Sequence, residues 1–426
     1  MRFRIDLTWN RLGDDRRLLL AGSPFRAFRL TDAGARIVDA IERGDDVADS
    51  ALIDRLLDGG AIHPQPSSDG THTFDVDDVT VITPQLGGEA HPGRLTIDDG
   101  STPPIVGATH RLDRNLGPAG ARNAGRSLAT TPVLAFVDAD VFVGADVDPH
   151  RTASAKHTSP SFATRSETAW LEPLLAHFDD PRVGLVAPRV IGDDGTSLDL
   201  GAHPGRIRAG SRVSYVPAAA IVVRAEAFDD IGGFDERLRF GEDVDLVWRL
   251  DDAGWRCRYE PQSAVWHRPR PTLVERLRQQ VGYGSSSAPL ALRHPRALAP
   301  FRSTPRTAAA IVAALAGSPS VAMLLLSSTV LQVRRRLTDI TLLDAARIAM
   351  TGNRMVLEQF ISALRRTWWP VVAVGAVASR RLRWLAVIAL AIRSRRAPTD
   401  IAFGWGLWSG MLRHRTLRPI IPDIVH

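Results

Sequence analysis

Short apolar strands that alternate with helical segments are the feature that most limits how this chain can fold. From about Asp75 onward, five apolar runs are each followed by turn or helix signals, and they begin at Val79, Arg94, Val133, Val183 and Ala218. Strands that alternate with helices predict an α/β fold with a mostly parallel sheet. Ligands bind such sheets at the carboxyl ends of the strands. Acidic residues that end these runs are therefore candidate site residues: Asp98, Asp138 and Asp140.

Residues 1–63 predict a small separate domain in front of this pattern. An amphipathic helix is expected after an N-cap at Thr31 or Asp32, and a second, shorter helix from Asp49 to Leu57. Residues 64–75 have the Pro, Ser and Gly content of a linker. The α/β domain is then expected over residues 76–290.

Residues 291–426 are predicted to be helical and to lie against a membrane surface. Residues 301–426 contain 18 Arg and 5 Asp or Glu, a balance of +13, so the first 300 residues sum to −7 within the total of +6. Thr307–Val333 is an uncharged run of 27 residues, long enough to span a bilayer. Shorter apolar runs fit hairpins in the membrane interface, with tryptophans at the depth of the headgroups: Trp368, Trp369, Trp384, Trp405 and Trp408.

Arginine clusters that flank apolar stretches favour a membrane over nucleic acid as the partner. The alternative is a soluble helical subdomain packed on the catalytic core. Cys257 is the single cysteine, which excludes an internal disulfide and a cysteine-rich zinc site. The first residues lack the apolar segment of a secretory signal, so we expect the cytoplasmic side of the cell membrane.

Three segments at predicted strand ends suit the binding of a nucleotide sugar. Asp98, in the sequence IDDGS, is placed to accept a nucleobase N–H. Arg122 lies at the start of a predicted helix after a Gly-rich loop, an arrangement that suits a diphosphate. Asp138 and Asp140 lie on the same side of an extended segment, where one can reach the ribose and the other a divalent metal.

A fourth segment, GGFDERLRFGEDVDL, opens a predicted amphipathic helix with Glu242, Asp243 and Asp245. Asp243 at a cleft edge suits a general base. The alternative is a structural charge cluster, which the helix dipole favours at an N-terminus. His267 follows a strand-like segment and suits a metal or phosphate ligand, or else is an ordinary surface histidine.

Together the four segments resemble the family 2 nucleotide-sugar glycosyltransferases of GT-A fold, over residues 76–285. The resemblance implies a hexosyltransferase that depends on Mg²⁺ or Mn²⁺ and inverts the anomeric centre. It implies that Asp243 is the catalytic base and Glu242 holds the acceptor. The nucleotide-sugar site would include Thr83, Asp98, Arg122 and Asp138. The metal ligands would be Asp140 and His267.

Three further segments are similar to the mycofactocin-biosynthesis glycosyltransferases: YVPAAAIVVRAEAFDDIGGFDERL, RLRQQVGYGSSSAPLALRHP and LTDAGARIVDAI. The last is similar to small, winged-helix-like peptide-recognition domains. The full expectation is an α/β chain with a mixed GT-A sheet core, a small winged-helix-like N-terminal domain and a helical, apolar C-terminal region. The resemblance implies that glucose passes from UDP-glucose to a peptide-derived redox cofactor or its precursor, building a short glucan chain.

The sequence departs from the family after the first strand of the α/β domain. The family has a whole helix there, whereas only Gln85–Gly93 intervenes in this chain. A parallel crossover ordinarily needs a dozen or more residues. Either the connection is abbreviated or the transferase domain is impaired. Two alternative functions stay open: a membrane-associated family 2 glycosyltransferase of cell-wall polysaccharide or glycolipid synthesis, and a non-catalytic peptide-binding scaffold.

Overall fold

The computed structural model describes residues 1–13, 15–65, 72–143, 168–192, 198–268, 272–337, 340–380, 383–384, 387 and 397–425. They belong to two compact units. The first consists of Met1–Asn10 and Leu19–Pro269, and the second of Arg11–Leu18 and Arg270–His426. The domain boundaries inferred from the sequence stay predictions.

The N-terminal segment has seven elements: β1 (Phe3–Ile5), β2 (Asn10–Leu12), β3 (Leu18–Ala21), β4 (Arg26–Arg29), α1 (Asp32–Arg43), α2 (Ala51–Asp58) and β5 (Ile62–Pro64). Both expected helices are confirmed. The side chain of Thr31 caps α1 and that of Ser50 caps α2, so each helix begins where a hydroxyl satisfies its first N–H groups. β1 and β5 pair antiparallel. The winged-helix character of this segment stays a prediction.

The α/β part of the first unit follows: β6 (Val79–Gln85), β7 (Leu95–Asp98), β8 (His110–Arg111), α3 (Gly117–Leu128), β9 (Val133–Val137), β10 (Val141–Phe142), α4 (Glu172–Leu175), β11 (Val183–Ile191), β12 (Gly205–Arg206), β13 (Ala220–Arg224), α5 (Ala225–Asp230), α6 (Glu242–Asp252) and β14 (Arg256–His267). All five strands expected from the sequence are present. Every residue of β9, β11 and β13 is buried, as strands covered on both faces require.

These strands form a mixed sheet in the order β10-β14-β11-β13-β9-β6-β7-β8, with β12 paired to β14. β9, β6, β7 and β8 are mutually parallel, while β13 lies antiparallel between β9 and β11. The mixed sheet confirms the expected α/β core. The carboxyl ends of β9, β6 and β7 meet at one edge of the sheet.

The connection from β6 to β7 contains no helix, so the abbreviated crossover is what the chain forms. The strands pair in parallel from Ile82–Leu95 to Gln85–Asp98. Because only four residues pair, the chain has to travel back only about 10 Å along the strands before β7 begins. The nine residues between the strands can span up to about 30 Å when extended. The Gln85 amide braces the loop by donating to the carbonyls of Gly87 (2.9 Å) and Glu89 (2.7 Å).

Arginine–aspartate pairs join the N-terminal segment to the α/β part of the same unit. Arg256, whose side chain is 4% exposed, pairs with Asp54 and Asp58 of α2 and with Asp180. Arg206 also pairs with Asp58, at 2.9 Å. Buried arginines of the α/β part thus hold the N-terminal segment through aspartates of α2 that are about half exposed.

The second unit is helical: α7 (Leu273–Ser285), α8 (Ser287–Arg293), β15 (Arg302–Ser303), α9 (Pro305–Leu315), α10 (Pro319–Arg336), α11 (Leu342–Arg366), α12 (Trp369–Ala378), α13 (Ala397–His414) and β16 (Asp423–Ile424). The uncharged run Thr307–Val333 does not form one helix. Gly317 adopts a left-handed φ of 85° and Pro319 starts α10, so the run divides into α9 and α10. Among the described residues, no helix combines the length and hydropathy needed to cross a membrane.

Candidate active site

The site lies where the carboxyl ends of neighbouring strands meet. Thr83 of β6, Asp98 of β7 and Asp138, which directly follows β9, come from three adjacent parallel strands. Glu242 and Asp243 lie in the same region, in the first turn of α6. Arg122 of α3 connects them to it, because it hydrogen-bonds both Glu242 and Asp138. The structure thus brings together most of the residues that the sequence singles out.

Asp98 is buried, and hydrogen bonds already engage both of its oxygens. Its carboxylate accepts the backbone N–H groups of Ser101 (2.8 Å) and Ile105 (3.1 Å) and a guanidinium N–H of Arg111 (3.0 Å). Burial alone would raise the pKa of Asp98, but these hydrogen bonds and the charge of Arg111 lower it. The Ser101 side chain also hydrogen-bonds this carboxylate and lowers its pKa. A carboxylate offers about four acceptor positions, so the contact of Asp98 with a nucleobase N–H stays a prediction.

Asp99, which the sequence reasoning did not single out, holds the start of α3. Its carboxylate accepts the backbone N–H groups of Leu116 (2.7 Å) and Gly117 (2.9 Å). Burial raises the pKa of Asp99 even though these hydrogen bonds act against it. Gly100 has a φ of 73°, and a Cβ there would lie 2.7 Å from the carbonyl carbon of Arg114. The second Asp and the Gly of IDDGS therefore fix the Gly-rich loop.

Arg122 is buried between two carboxylates from different parts of the chain. Its NH1 donates to Glu242 at 3.0 Å and its NH2 to Asp138 at 2.7 Å. Burial alone would lower the pKa of Arg122, but Asp138 and Glu242 together raise it, so the guanidinium stays charged. Both terminal nitrogens are thus already bonded to carboxylates of the protein. The contact of Arg122 with a diphosphate stays a prediction.

Asp243 combines partial burial with an elevated pKa. Its carboxylate accepts the backbone N–H groups of Val244 (2.8 Å) and Ala218 (3.3 Å). Burial and, after it, the negative charge of Glu242 raise the pKa of Asp243 to about 7. Asp245, by contrast, is paired with Arg249 at 2.7 Å within the helix and has a structural role. All three carboxylates at this helix start make contacts within the protein, and the role of Asp243 as a base stays a prediction.

Asp140, directly before β10, and His267, the last residue of β14, lie close together. The Asp140 Oδ2 and His267 Nε2 atoms are 3.6 Å apart, and β10 pairs with β14 at Val141 and His267. One carboxylate and one imidazole are suitable ligands for a divalent metal that completes its coordination with water and substrate phosphates. Within the described ranges, no cluster of three or more His, Cys, Asp or Glu side chains could hold a metal ion by itself.

Thr83 is fully buried on β6, opposite Thr96 of β7. Within the part of the chain that the structure describes, neither hydroxyl has a hydrogen-bond partner. A buried polar atom without a partner is uncommon in proteins. Thr83 therefore stays a candidate for the donor site, as predicted from the sequence.

Comparison with known proteins identifies the family. Residues 110–281 match the family described as "Glycosyltransferase like family 2", a range that includes Arg122, Asp138, Asp140, Asp243 and His267. The "Pre-mycofactocin glycosyltransferase" of Mycobacterium tuberculosis is 34% identical over 95% of this chain and 94% of its own length. A shorter match, 45% identical over 13% of this chain and 18% of the relative, is to the "N-acetylglucosaminyl-diphospho-decaprenol L-rhamnosyltransferase" of the same organism.

Among solved structures, the "Mannosyltransferase PcManGT from Pyrobaculum calidifontis in complex with GDP-Man and Mn2+" matches 79% of this chain and 87% of its own, with 13% identity and a TM-score of 0.41. "GalNAc-T7 with UDP, GalNAc and Mn2+" matches 51% of this chain and 52% of its own, with 16% identity and a TM-score of 0.32. The relative that aligns over almost the whole chain shows the family. The chain belongs to the pre-mycofactocin glycosyltransferases, within glycosyltransferase family 2, and has the GT-A-like α/β core of that family.

Proposed function

We propose that this enzyme transfers glucose from UDP-glucose to a peptide-derived redox cofactor of the mycofactocin type, or to its precursor, and builds a short glucan chain. The 34% identical relative is named for its action on pre-mycofactocin, which supports the acceptor class. The observation that carries a catalytic function, as against a scaffold, is the placement of Asp243: two backbone N–H groups hold its carboxylate beside the Arg122–Glu242 pair, where burial also raises its pKa.

In this proposal Asp243 is the general base of an inverting displacement. The N–H groups of Ala218 and Val244 orient its carboxylate. A base with a pKa near the working pH removes a hydroxyl proton efficiently while it stays largely ionised. The acceptor oxygen, as it loses its proton to Asp243, attacks the anomeric carbon from the face opposite the departing nucleoside diphosphate. Glu242 lies beside the base and is proposed to hold the acceptor.

The donor is proposed to bind at the strand ends, with its nucleobase at Asp98 and Thr83 and its ribose at Asp138. Asp140 and His267 would hold Mg²⁺ or Mn²⁺ with the donor diphosphate, and their 3.6 Å separation is compatible with two ligands of one cation. Such a metal, when bound, offsets the charge that develops on the leaving diphosphate.

We also propose that the helical second unit lies on the cytoplasmic face of the cell membrane. On α12, Val374 and Val377 are 75% and 85% exposed, and on α10 Leu324 is 71% exposed. The last turn of α10 carries Arg334–Arg336. Apolar side chains beside arginines are typical of interfacial helices, where each Arg near an anionic leaflet contributes about 1 kcal/mol.

The membrane proposal is tested by fractionation and by vesicle flotation. Full-length protein is expected to stay with membranes through a salt wash, because buried apolar side chains resist salt. Replacing Val374 and Val377 together by Ser should release it without lowering the melting temperature. The matched control replaces Val106, which is 90% exposed in the first unit. Recovery of the wild type in the soluble fraction without detergent would contradict the proposal.

The transferase proposal is tested by turnover. Purified protein is incubated with peptide-derived acceptor and UDP-glucose, with and without Mn²⁺ or Mg²⁺, and the products are analysed by mass spectrometry. Addition of increments of about 162 Da, the mass of one anhydrohexose each, is the expected result. Transfer only to a polyprenyl or polysaccharide acceptor would favour cell-wall or glycolipid synthesis. No turnover with any nucleotide sugar would favour the scaffold.

A further inference from the structure

Arg122 lies between the donor half and the acceptor half of the proposed site. It bonds Asp138, at the end of β9, and Glu242, in the first turn of α6. Its side chain is only 3% exposed. The ring of Phe234 covers the guanidinium, with 5.1 Å between the Cζ atom and the ring centroid. A group enclosed in this way has little surface left for a substrate.

Backbone hydrogen bonds extend this bridge to the catalytic base. Asp138 donates its N–H to the carbonyl of Ala219 at 2.9 Å. Ala218, the preceding residue, donates its N–H to the Asp243 carboxylate at 3.3 Å and accepts a 3.5 Å hydrogen bond from Arg122. The donor residue Asp138, the start of β13 and the start of α6 are therefore linked in one network with Arg122 inside it.

We propose that Arg122 is a positioning residue of the transfer reaction, which sets the distance between Asp138 and the Glu242–Asp243 pair without contacting the donor diphosphate. This inference rests on the proposed function. A displacement of about 1 Å between reacting groups is enough to cost about 100-fold in rate. Two carboxylates from separate elements would repel each other without the cation between them.

The charge of Arg122 also acts on the base. The charged groups that influence Asp243 are Glu242 in its own helix, which raises its pKa, and Arg122 on α3, which lowers it. Removal of the guanidinium therefore leaves Glu242 to act alone. Coupling of Arg122 to the base therefore predicts a change in the pH profile, and an unchanged pH midpoint would show that this coupling is absent.

The test compares Arg122→Met and Arg122→Lys with a control on the same helix, Arg126→Met. Arg126 has a bidentate pair of its own, with Asp229 at 2.6 and 2.9 Å. Arg122→Met is expected to lower kcat by about 100-fold or more and to move the acidic limb of the kcat/KM profile upward by about one pH unit. Arg122→Lys should restore the pH midpoint but only part of kcat, and Arg126→Met should change neither. An increase in the donor KM with an unchanged pH midpoint would overturn the proposal.

A second measurement does not depend on turnover, so failure of the proposed function can be told apart from failure of this inference. Urea midpoints are measured for Glu242→Gln in the wild type and in Arg122→Met. Glu242→Gln should lower the midpoint of the wild type but raise that of Arg122→Met, because it removes a buried charge that has lost its partner. Equal lowering in both backgrounds would show that Arg122 does not bridge the carboxylates, and would overturn the inference even in an active enzyme.

Discussion

Asp140 and His267 face each other where β10 pairs with β14, with the carboxylate Oδ2 and the imidazole Nε2 3.6 Å apart. Neither side chain belongs to the apolar core that surrounds Val141 and Val265. Substitutions in this pair therefore test its proposed role in catalysis with less effect on stability than substitutions in the buried Arg122 network.

We expect Asp140→Ala to abolish metal-stimulated transfer while changing the melting temperature little. The Asp140 side chain is 29% exposed and its pair with the buried His267 is long, at 3.6 Å, so this pair should contribute about 0–1 kcal/mol to stability, whereas loss of a metal ligand removes the charge that assists departure of the diphosphate. Transfer assays before and after EDTA treatment, with Asp46→Ala as a surface control, provide the measurement. Full activity that still requires the metal would assign the ligand to another residue, first to Asp138.

Asp243→Asn should leave donor binding intact and lower transfer by about 100- to 10,000-fold. The amide keeps the shape of the side chain but cannot take a proton. In the wild type, kcat/KM should fall as the pH drops below about 7, because Asp243 with a pKa of about 7 is then protonated. Calorimetric titration with UDP and a pH–rate profile check both statements. A parallel loss of UDP affinity would identify Asp243 as a structural residue of α6.

The same carboxylate makes stability depend on pH in a defined direction. The pKa of Asp243 is raised from its ordinary 3.8 to about 7, so between these values the folded state binds more protons than the unfolded state. This group's contribution to the free energy of unfolding therefore decreases as pH rises from about 4 to about 7. Asp243→Asn removes this pH-dependent decrease in the free energy of unfolding. The melting temperature of the variant minus that of the wild type should become more positive over this range, and a constant difference would contradict the assigned pKa.

Arg256→Met should destabilise the first unit strongly. Its side chain is 4% exposed and pairs with Asp54, Asp58 and Asp180, which would lose their shared cation. Asp54 and Asp58 are each 45% exposed, and all three aspartates keep a second arginine, so we expect the loss of these charge-assisted hydrogen bonds to cost about 1.5–3 kcal/mol. The matched control is Arg237→Met, because Arg237 is 84% exposed and pairs with Asp235; its effect should stay within about 0.5 kcal/mol. Urea denaturation measures both, and similar midpoints would show that the N-terminal segment is held by its apolar contacts.

The strands were predictable because central strands of such a sheet are apolar on both faces. β9 is a continuous apolar run in the sequence, β11 is interrupted only by Arg189, and both are buried throughout. Their order was not predictable, because the sequence does not show that β13 inserts antiparallel between them. Pairing depends on contacts between residues far apart in the chain.

The candidate carboxylates were predictable from their places after strands and at a helix start, but their partners were not. Arg122 precedes Asp138 by 16 residues and Glu242 by 120. A guanidinium at a helix start after a Gly-rich loop is equally typical of a phosphate site, so its burial between carboxylates became visible only in the fold. Asp99 was missed because an Asp beside a Gly is typical of an ordinary turn.

In the C-terminal region, the apolar run indicated one long helix that the structure does not contain. Composition alone makes Thr307–Val333 long enough to span a bilayer, yet the backbone reverses within it at Gly317. Gly and Pro with Ser between them are a stronger structural signal than the hydropathy of their neighbours.

The abbreviated β6–β7 connection has a consequence for how the chain folds. Paired residues in these strands are 13 positions apart, from Ile82–Leu95 to Gln85–Asp98, whereas Val183 and Arg256, paired in β11 and β14, are 73 apart. Each doubling of the loop length adds about 0.6 kcal/mol to the entropic free-energy cost of closing the loop. This cost is therefore smaller for the β6–β7 pair than for the β11–β14 pair. We expect the sheet to nucleate at β6–β7. In pulse-labelled hydrogen exchange the β7 amides would then become protected before those of β14, and the edge proposed to bind the nucleobase would be the oldest part of each newly folded molecule.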